Sequence, residues 1–408
     1  MSLHSESRTA APAALPRTDA RGLGPFVLKR LLSCLDAGAL TVVMPSGARL
    51  EHHAAKPGPE ATLVLRDWRA FRRFAARGEV GFAEAYMAGE WTTPDLTALI
   101  ELAATNVARL EDALAGFMPV RIFRRLKHLM RSNTKVGSRR NIAFHYDLGN
   151  NFYKPWLDPS MTYSSALYAS PNATLEAAQE TKLKRIVELL DLNAGSKVLE
   201  IGCGWGALAA RIAREGAHLT GLTLSTEQLA RARALMDEQG LADKTDLRLQ
   251  DYRDVTGQFD RIVSIEMLEA VGEQYWPVYF QTLKNRLVPG GTAVLQVITI
   301  DEPRFEGYRR SPDFIQHYVF PGGMLPTKTI MAEQAERAGL ELVSRECFGA
   351  SYALTLAEWK RRFQAAWPQV EALGFDTTFR RLWDYYLSYC EAGFRTGVID
   401  VGLYKLRA

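Results

Sequence analysis

The chain has 408 residues, 47% hydrophobic and 24% charged. Such values fit an ordinary globular protein with room for two or three domains, and exclude a small disulfide-stapled scaffold, a collagen-like or coiled-coil rod and a wholly disordered chain. Fifty Lys and Arg against 46 Asp and Glu leave a net charge of +4, too slight an excess over so large a surface to name a partner.

Residues 1–25 contain Glu6, Asp19 and several prolines but no apolar core of signal-peptide length, and read as a disordered tail. The apolar runs Leu40–Met44 and Ala61–Leu65 flank Pro45-Ser46-Gly47 and Lys56-Pro57-Gly58-Pro59, turn chemistry that predicts strands of a small sheet. Trp68, Phe71 and Phe74, then Phe82, Tyr86, Leu96, Leu99 and Leu102, recur at helical spacing. Residues 26–108 are therefore expected to form a small amino-terminal α+β domain.

Residues 113–146 contain no acid, whereas Arg121, Arg124, Arg125, Lys127, Arg131, Lys135, Arg139 and Arg140 are basic. Phe117, Val120, Phe123, Leu126 and Met130 add an apolar stripe. The connector 109–140 is thus either an interfacial helix on an anionic membrane surface or a linker helix packed on the next domain. No nucleic-acid-binding motif accompanies the charge. No run of about 18 apolar residues exists, so any membrane contact is expected to be peripheral.

From residue 175 helix and strand alternate. Helices are predicted at Leu175–Leu190, Ala207–Glu215 and Thr226–Gln239, and strands at Lys197–Ile201, Leu219–Leu224, Asp246–Gln250, Arg261–Ile265 and Thr292–Ile298. This βα alternation predicts an α/β, Rossmann-like doubly wound sheet over residues 141–408, with ligands at the carboxyl ends of its strands. Cys34, Cys203, Cys347 and Cys390 are far apart and form no metal-binding or disulfide pattern, so no metal is expected and a cytoplasmic compartment is.

The most informative string is Val198-Leu-Glu-Ile-Gly-Cys-Gly-Trp-Gly206. A buried strand carrying Glu200 opens into Gly202, Gly204 and Gly206, which permit a tight turn and close approach of a ligand to the backbone. The spacing is not that of the dinucleotide fingerprint, which argues against a pyrophosphate. At the end of the next strand, Thr223, Leu224, Ser225 and Gln228 offer neutral hydrogen-bonding groups where many nucleotide folds place a carboxylate; Ser225 and Gln228 also fit a helix capping box.

The glycine string resembles the first motif of class I S-adenosylmethionine-dependent methyltransferases. With Phe144–Tyr153, Leu157–Ser164, Gly221–Gln228, Asp260–Ser264, Tyr318–Pro326 and Cys390–Arg395, the chain from about 140 to 405 resembles the cyclopropane-fatty-acyl-phospholipid synthase family, which includes the mycolic acid cyclopropane synthases. Gly81–Trp91 further resembles the small amino-terminal domain of the bacterial phospholipid enzymes.

The resemblance implies methyl transfer from S-adenosylmethionine to the cis double bond of an unsaturated phospholipid acyl chain, closing a cyclopropane, by a peripheral enzyme at the inner membrane surface. It implies cofactor contacts at Tyr163, Ser164, the loop 198–206, Thr223 through Gln228, Tyr252, Arg253 and Ile265, and an acyl pocket lined by some of the aromatics between Tyr308 and Tyr386. It also implies bicarbonate as the base, held by Glu269, Tyr352 and the backbone of Ile298, with Cys390 as a further active-site residue and a homodimer through the small domain.

Four positions depart from the family pattern. Ser165 replaces a cysteine, Gln296 a histidine expected on bicarbonate, Ala270 a histidine, and Glu266 a glycine. Glutamine can donate a hydrogen bond but cannot carry a proton as histidine can. If bicarbonate is displaced, another base such as Glu266 would take a different proton, and the product would be a methylene- or methyl-branched unsaturated chain. A protein that keeps the fold and binds lipid without chemistry is the alternative from another class.

Overall fold

The computed structural model describes residues 32–107 and 148–408, together with Leu28 and Arg109. The tail, the rest of the connector and the Phe144–Asp147 part of the family motif lie outside the described residues.

Strands β1 (Ala37–Val43), β2 (Arg49–His53), β3 (Lys56–Leu65) and β4 (Trp91–Thr92) form a sheet in the order β2-β1-β3-β4. The two predicted apolar runs lie in β1 and β3, which pair in parallel. The expected turn at Lys56–Pro59 instead opens β3, because Gly58 packs against the backbone of Gly38 where β1 bulges. Helices α1 (Arg69–Met87) and α2 (Leu96–Thr105) follow the predicted periodicity. Gly78, at φ +58°, kinks α1.

The second sheet has seven strands: β5 (Lys197–Ile201), β6 (His218–Thr223), β7 (Thr245–Leu249), β8 (Phe259–Ile265), β9 (Leu287–Ile300), β10 (Glu341–Cys347) and β11 (Ile399–Arg407). Their order is β10-β11-β9-β8-β5-β6-β7, parallel from β9 through β7 and antiparallel at β11 and β10. Helices α3 (Leu175–Leu190), α4 (Ala207–Arg214), α5 (Thr226–Glu238), α6 (Leu268–Val271) and α7 (Trp276–Arg286) accompany the strands. The chain runs outward from β5 through β6 to β7 and then returns to β8 on the other side of β5. This reversal leaves a crevice at the carboxyl end of β5, the position where such sheets bind ligands.

Helices α8 (Gly349–Ala365) and α9 (Thr377–Arg395) pack together, and α9 packs against both helices of the small sheet. One apolar cluster runs from Val42, Leu65 and Trp91 through Trp156 to Trp359, Trp383 and Phe394. The aromatics Trp359, Phe363 and Trp383 are fully or almost fully buried in it. Polar bonds cross the same junction. Tyr86 donates to Asp384 at 2.8 Å, and Thr97 and Lys360 both donate to the buried Glu391, with Arg395 on its other oxygen at 2.6 Å. Three charged or polar partners compensate the desolvation of that carboxylate.

Candidate active site

Beyond Ile201 the chain turns through Gly202, Gly204 and Gly206 at φ +86°, +50° and +92°, a backbone region that side-chain-bearing residues enter at a cost. A Cβ on Gly204 would meet nothing within 4 Å, and one on Gly202 only Met267, at 3.4 Å. These two glycines front open space. Gly206 instead serves packing, since its Cβ would stand 3.1 Å from Ala232 on α5.

The space is a cavity of about 170 Å³ lined by Tyr163, Ser164, Glu200, Gly202, Gly204, Thr223, Leu224, Gln228, Tyr252 and Ile265 among others. Thr223 donates to Gln228 Oε1 at 2.9 Å, which fixes the glutamine amide and leaves its N–H groups for a ligand. Glu200 is buried, its Oε2 has no hydrogen-bond partner, and burial pushes its carboxyl up to about 8. An orphaned buried acceptor beside a glycine-backed cavity suits the ammonium of an amino-acid ligand. The site thus fits S-adenosylmethionine, whose amino-acid end Glu200 and the glycine loop could hold and whose hydroxyls Thr223 and Gln228 could meet.

Two predicted contacts have other work. Ser225 caps α5, accepting the Gln228 N–H at 3.3 Å. Arg253 forms a twin hydrogen bond to Asp251 at 2.8 and 2.6 Å, and both line a small side pocket with Tyr252 and Leu224. Sequence reasoning missed Asp251 and Lys182. Asp251 is a carboxylate just past the end of β7, and Lys182 is a charged residue on the buried face of α3; both signals were present in the sequence.

The expected base residues assemble around an unexpected centre. Glu266 follows β8, adjacent to Gln296 of β9, and lines the cavity. Its Oε1 accepts the Ser165 N–H at 2.8 Å and the Gln296 amide at 2.7 Å, and its Oε2 accepts the Tyr352 hydroxyl at 2.6 Å. Burial raises its carboxyl, while those three donors and Lys182 hold it down. The Glu266 backbone is not relaxed, for it takes φ +50°. Such a conformation costs a residue other than glycine roughly 1 kcal/mol.

Glu269, the predicted principal carboxylate, stands outside the cavity lining. Its Oε1 accepts the Ile298 N–H, its Oε2 is buried without a partner, and burial, followed by the charge of Glu266, pushes its carboxyl up to about 8. The predicted Ile298 backbone donor is therefore taken by Glu269. Cys390 lies in the same neighbourhood on α9, where burial pushes its thiol up, so the nucleophilic thiolate form is disfavoured. Tyr163 meets the base region through its hydroxyl, 2.9 Å from that of Tyr386.

A parallel sheet with an antiparallel β11 at one side, a glycine loop at its switch point and a cavity fitted to an adenosyl amino acid define a class I S-adenosylmethionine-dependent methyltransferase. A family model described as mycolic acid cyclopropane synthetase matches residues 133–403, and the chain belongs to that family. The tuberculostearic acid methyltransferase UfaA1 of Mycobacterium tuberculosis is 40% identical over 85% of this chain and 83% of its own length. The cyclopropane-fatty-acyl-phospholipid synthase of Escherichia coli K12 is 34% identical over 81% of this chain and 84% of its own. Among solved structures, the cyclopropane synthase CmaA1 complexed with SAH and CTAB aligns with a TM-score of 0.62 and 30% identity, covering 66% of this chain and 98% of that one.

Proposed function

We propose that this methyltransferase acts on the cis double bond of an unsaturated fatty acyl chain of a membrane phospholipid, and that the Glu266 carboxylate removes the proton that completes the reaction. One observation carries the assignment of the base: Ser165 N–H, Gln296 and Tyr352 converge on Glu266. Gln296 and Tyr352 stand at positions where the family pattern would hold bicarbonate, and with both of them bonded to Glu266 and Ile298 bonded to Glu269 the residues present do not fit a bound bicarbonate. The two relatives named for acyl-lipid chemistry support the substrate class.

S-adenosylmethionine, when bound, supplies a methyl group on a sulfonium. An alkene is a weak nucleophile, so this chain's residues must hold the reactants close and dry; the aromatic side chains around Tyr163, Trp359 and Tyr386 exclude water and tolerate positive charge. As the π electrons of the double bond bonded the methyl carbon, its bond to sulfur would break with the electron pair left on the neutral thioether, and the other alkene carbon would be a cation. Glu266 then takes a C–H proton, and the electrons of that bond quench the cation. If the proton leaves the new methyl with direct closure, a cyclopropane forms. If hydride first shifts to the cationic carbon, the more substituted cation loses a methyl proton and leaves a methylene branch.

The departures at Ser165, Glu266, Ala270 and Gln296 place a different base from the family's, which supports the open-chain outcome, and the 40% identical relative is named for tuberculostearic acid. Among the described residues no helix is long and apolar enough to cross a membrane, and the substrate is taken to be drawn from the bilayer surface.

The test is lipid analysis of a host that contains only monounsaturated phospholipids, before and after expression. A gain of one CH₂ unit without upfield ring protons in the proton NMR spectrum is the expected result. Upfield ring protons would establish ring closure, and no mass gain would sink the proposal.

A further inference from the structure

The cavity holds a buried cation whose hydrogen bonds the proposed proton transfer leaves unaccounted for. Lys182 of α3 is 1% exposed and lines the cavity beside Ser164 and Glu200. Its one hydrogen-bond acceptor among the described residues is Ser164 Oγ, at 2.7 Å. The charges of Glu266 and Asp158 favour the ammonium, yet neither carboxylate forms an ion pair with it, and burial pulls it down to about 8. A buried ammonium with two unused N–H groups is costly unless something meets it.

We infer that Lys182 is a positioning residue for the carboxylate of the cofactor's amino-acid end, acting through the Ser164 hydroxyl. The inference rests on the cofactor reading above. Because Ser164 Oγ accepts the lysine N–H, its own hydrogen is free to be donated, and the cavity both residues line is where an acceptor would sit. A serine held as a donor and backed by a cation recognises an anionic oxygen. The orphaned Oε2 of Glu200 supplies the opposite sign in the same cavity. Together the buried lysine and the orphaned carboxyl match a zwitterion: its carboxylate on the side of Lys182 and Ser164, its ammonium on the side of Glu200, where the cation would favour the ionised form of a carboxyl that burial otherwise keeps protonated.

The experiment is calorimetric binding of two ligands, S-adenosylhomocysteine and its decarboxylated analogue, to the full-length protein and to Lys182→Met, Lys182→Arg and Ser164→Ala. Lys182→Met should weaken S-adenosylhomocysteine about 10- to 100-fold, the span of a charge-assisted hydrogen bond, and leave the analogue within about 3-fold. Ser164→Ala should show the same selectivity, and Lys182→Arg should recover part of the affinity. Equal losses for both ligands, or none, would overturn the inference; if Lys182→Met does not fold, the other two variants carry the same comparison. Wild-type protein that binds neither ligand would instead defeat the cofactor reading.

Discussion

The two ends of the cavity are built on different principles. At the cofactor end, glycines with positive φ after β5 and the hydroxyl and amide groups after β6 present mostly backbone and neutral groups from one stretch, residues 200–228, completed by Ser164 and Lys182 from an earlier segment and helix. At the base end, one carboxylate carried just past β8 is held by donors from three other places: the segment around Ser165, β9 and α8. The first can bind without being reactive. The second sets reactivity, because a low-dielectric carboxylate with three donors has its basicity fixed by those donors.

This contrast can be broken experimentally. Glu266→Gln should lower turnover about 100- to 10,000-fold and leave S-adenosylhomocysteine binding intact; a variant that retains activity would move the base elsewhere. Gly204→Val should do the reverse, weakening cofactor binding at least about 10-fold through backbone strain and a filled cavity, as read by calorimetry.

Tyr352→Phe should cost about 10-fold in turnover at neutral pH. Its hydroxyl is a donor that lowers the Glu266 carboxyl, so without it that carboxyl rises and the acid limb of the pH–rate profile moves to higher pH. An unshifted limb would show that Tyr352 only packs.

The smallest effect is expected at Glu269. Burial holds its folded-state carboxyl at about 8, against an ordinary 4.5, so the folded protein retains a proton that the unfolded chain has released between those values. That contribution to stability is lost as pH rises through the window. Glu269→Gln should therefore melt roughly 1–3 °C above wild type at pH 8.5 and converge with it near pH 5; the opposite ordering would mean that Glu269 is ionised in the fold.

The same contrast explains what could be read from the sequence. The glycine loop, the strands β5 to β8 and the helices between them follow from contiguous patterns, and their ends shift by at most about two residues because capping and periodicity are local. The strands β2, β10 and β11 were not anticipated. β2 and β10 alternate exposed and half-buried residues with little apolar signal, and β11 owes its place to a partner over a hundred residues earlier in the chain. The family pattern marks Glu269 and not Glu266 as the base-site carboxylate. Glu266 was visible as a departure, but its convergence with Ser165, Gln296 and Tyr352 depends on pairing between β8 and β9 and on the packing of α8, neither of which leaves a local trace.

The left-handed backbone of Glu266 has an evolutionary and practical consequence. A position whose conformation suits glycine but carries glutamate is a single-nucleotide switch between a catalyst that owns its base and one that must borrow it. Glu266→Gly should relax the backbone and vacate a carboxylate-sized space facing Ser165, Gln296 and Tyr352. Such a variant would be inert in plain buffer and chemically rescuable by formate, with its rate set by solute concentration. In that form the enzyme's output would report the composition of the medium.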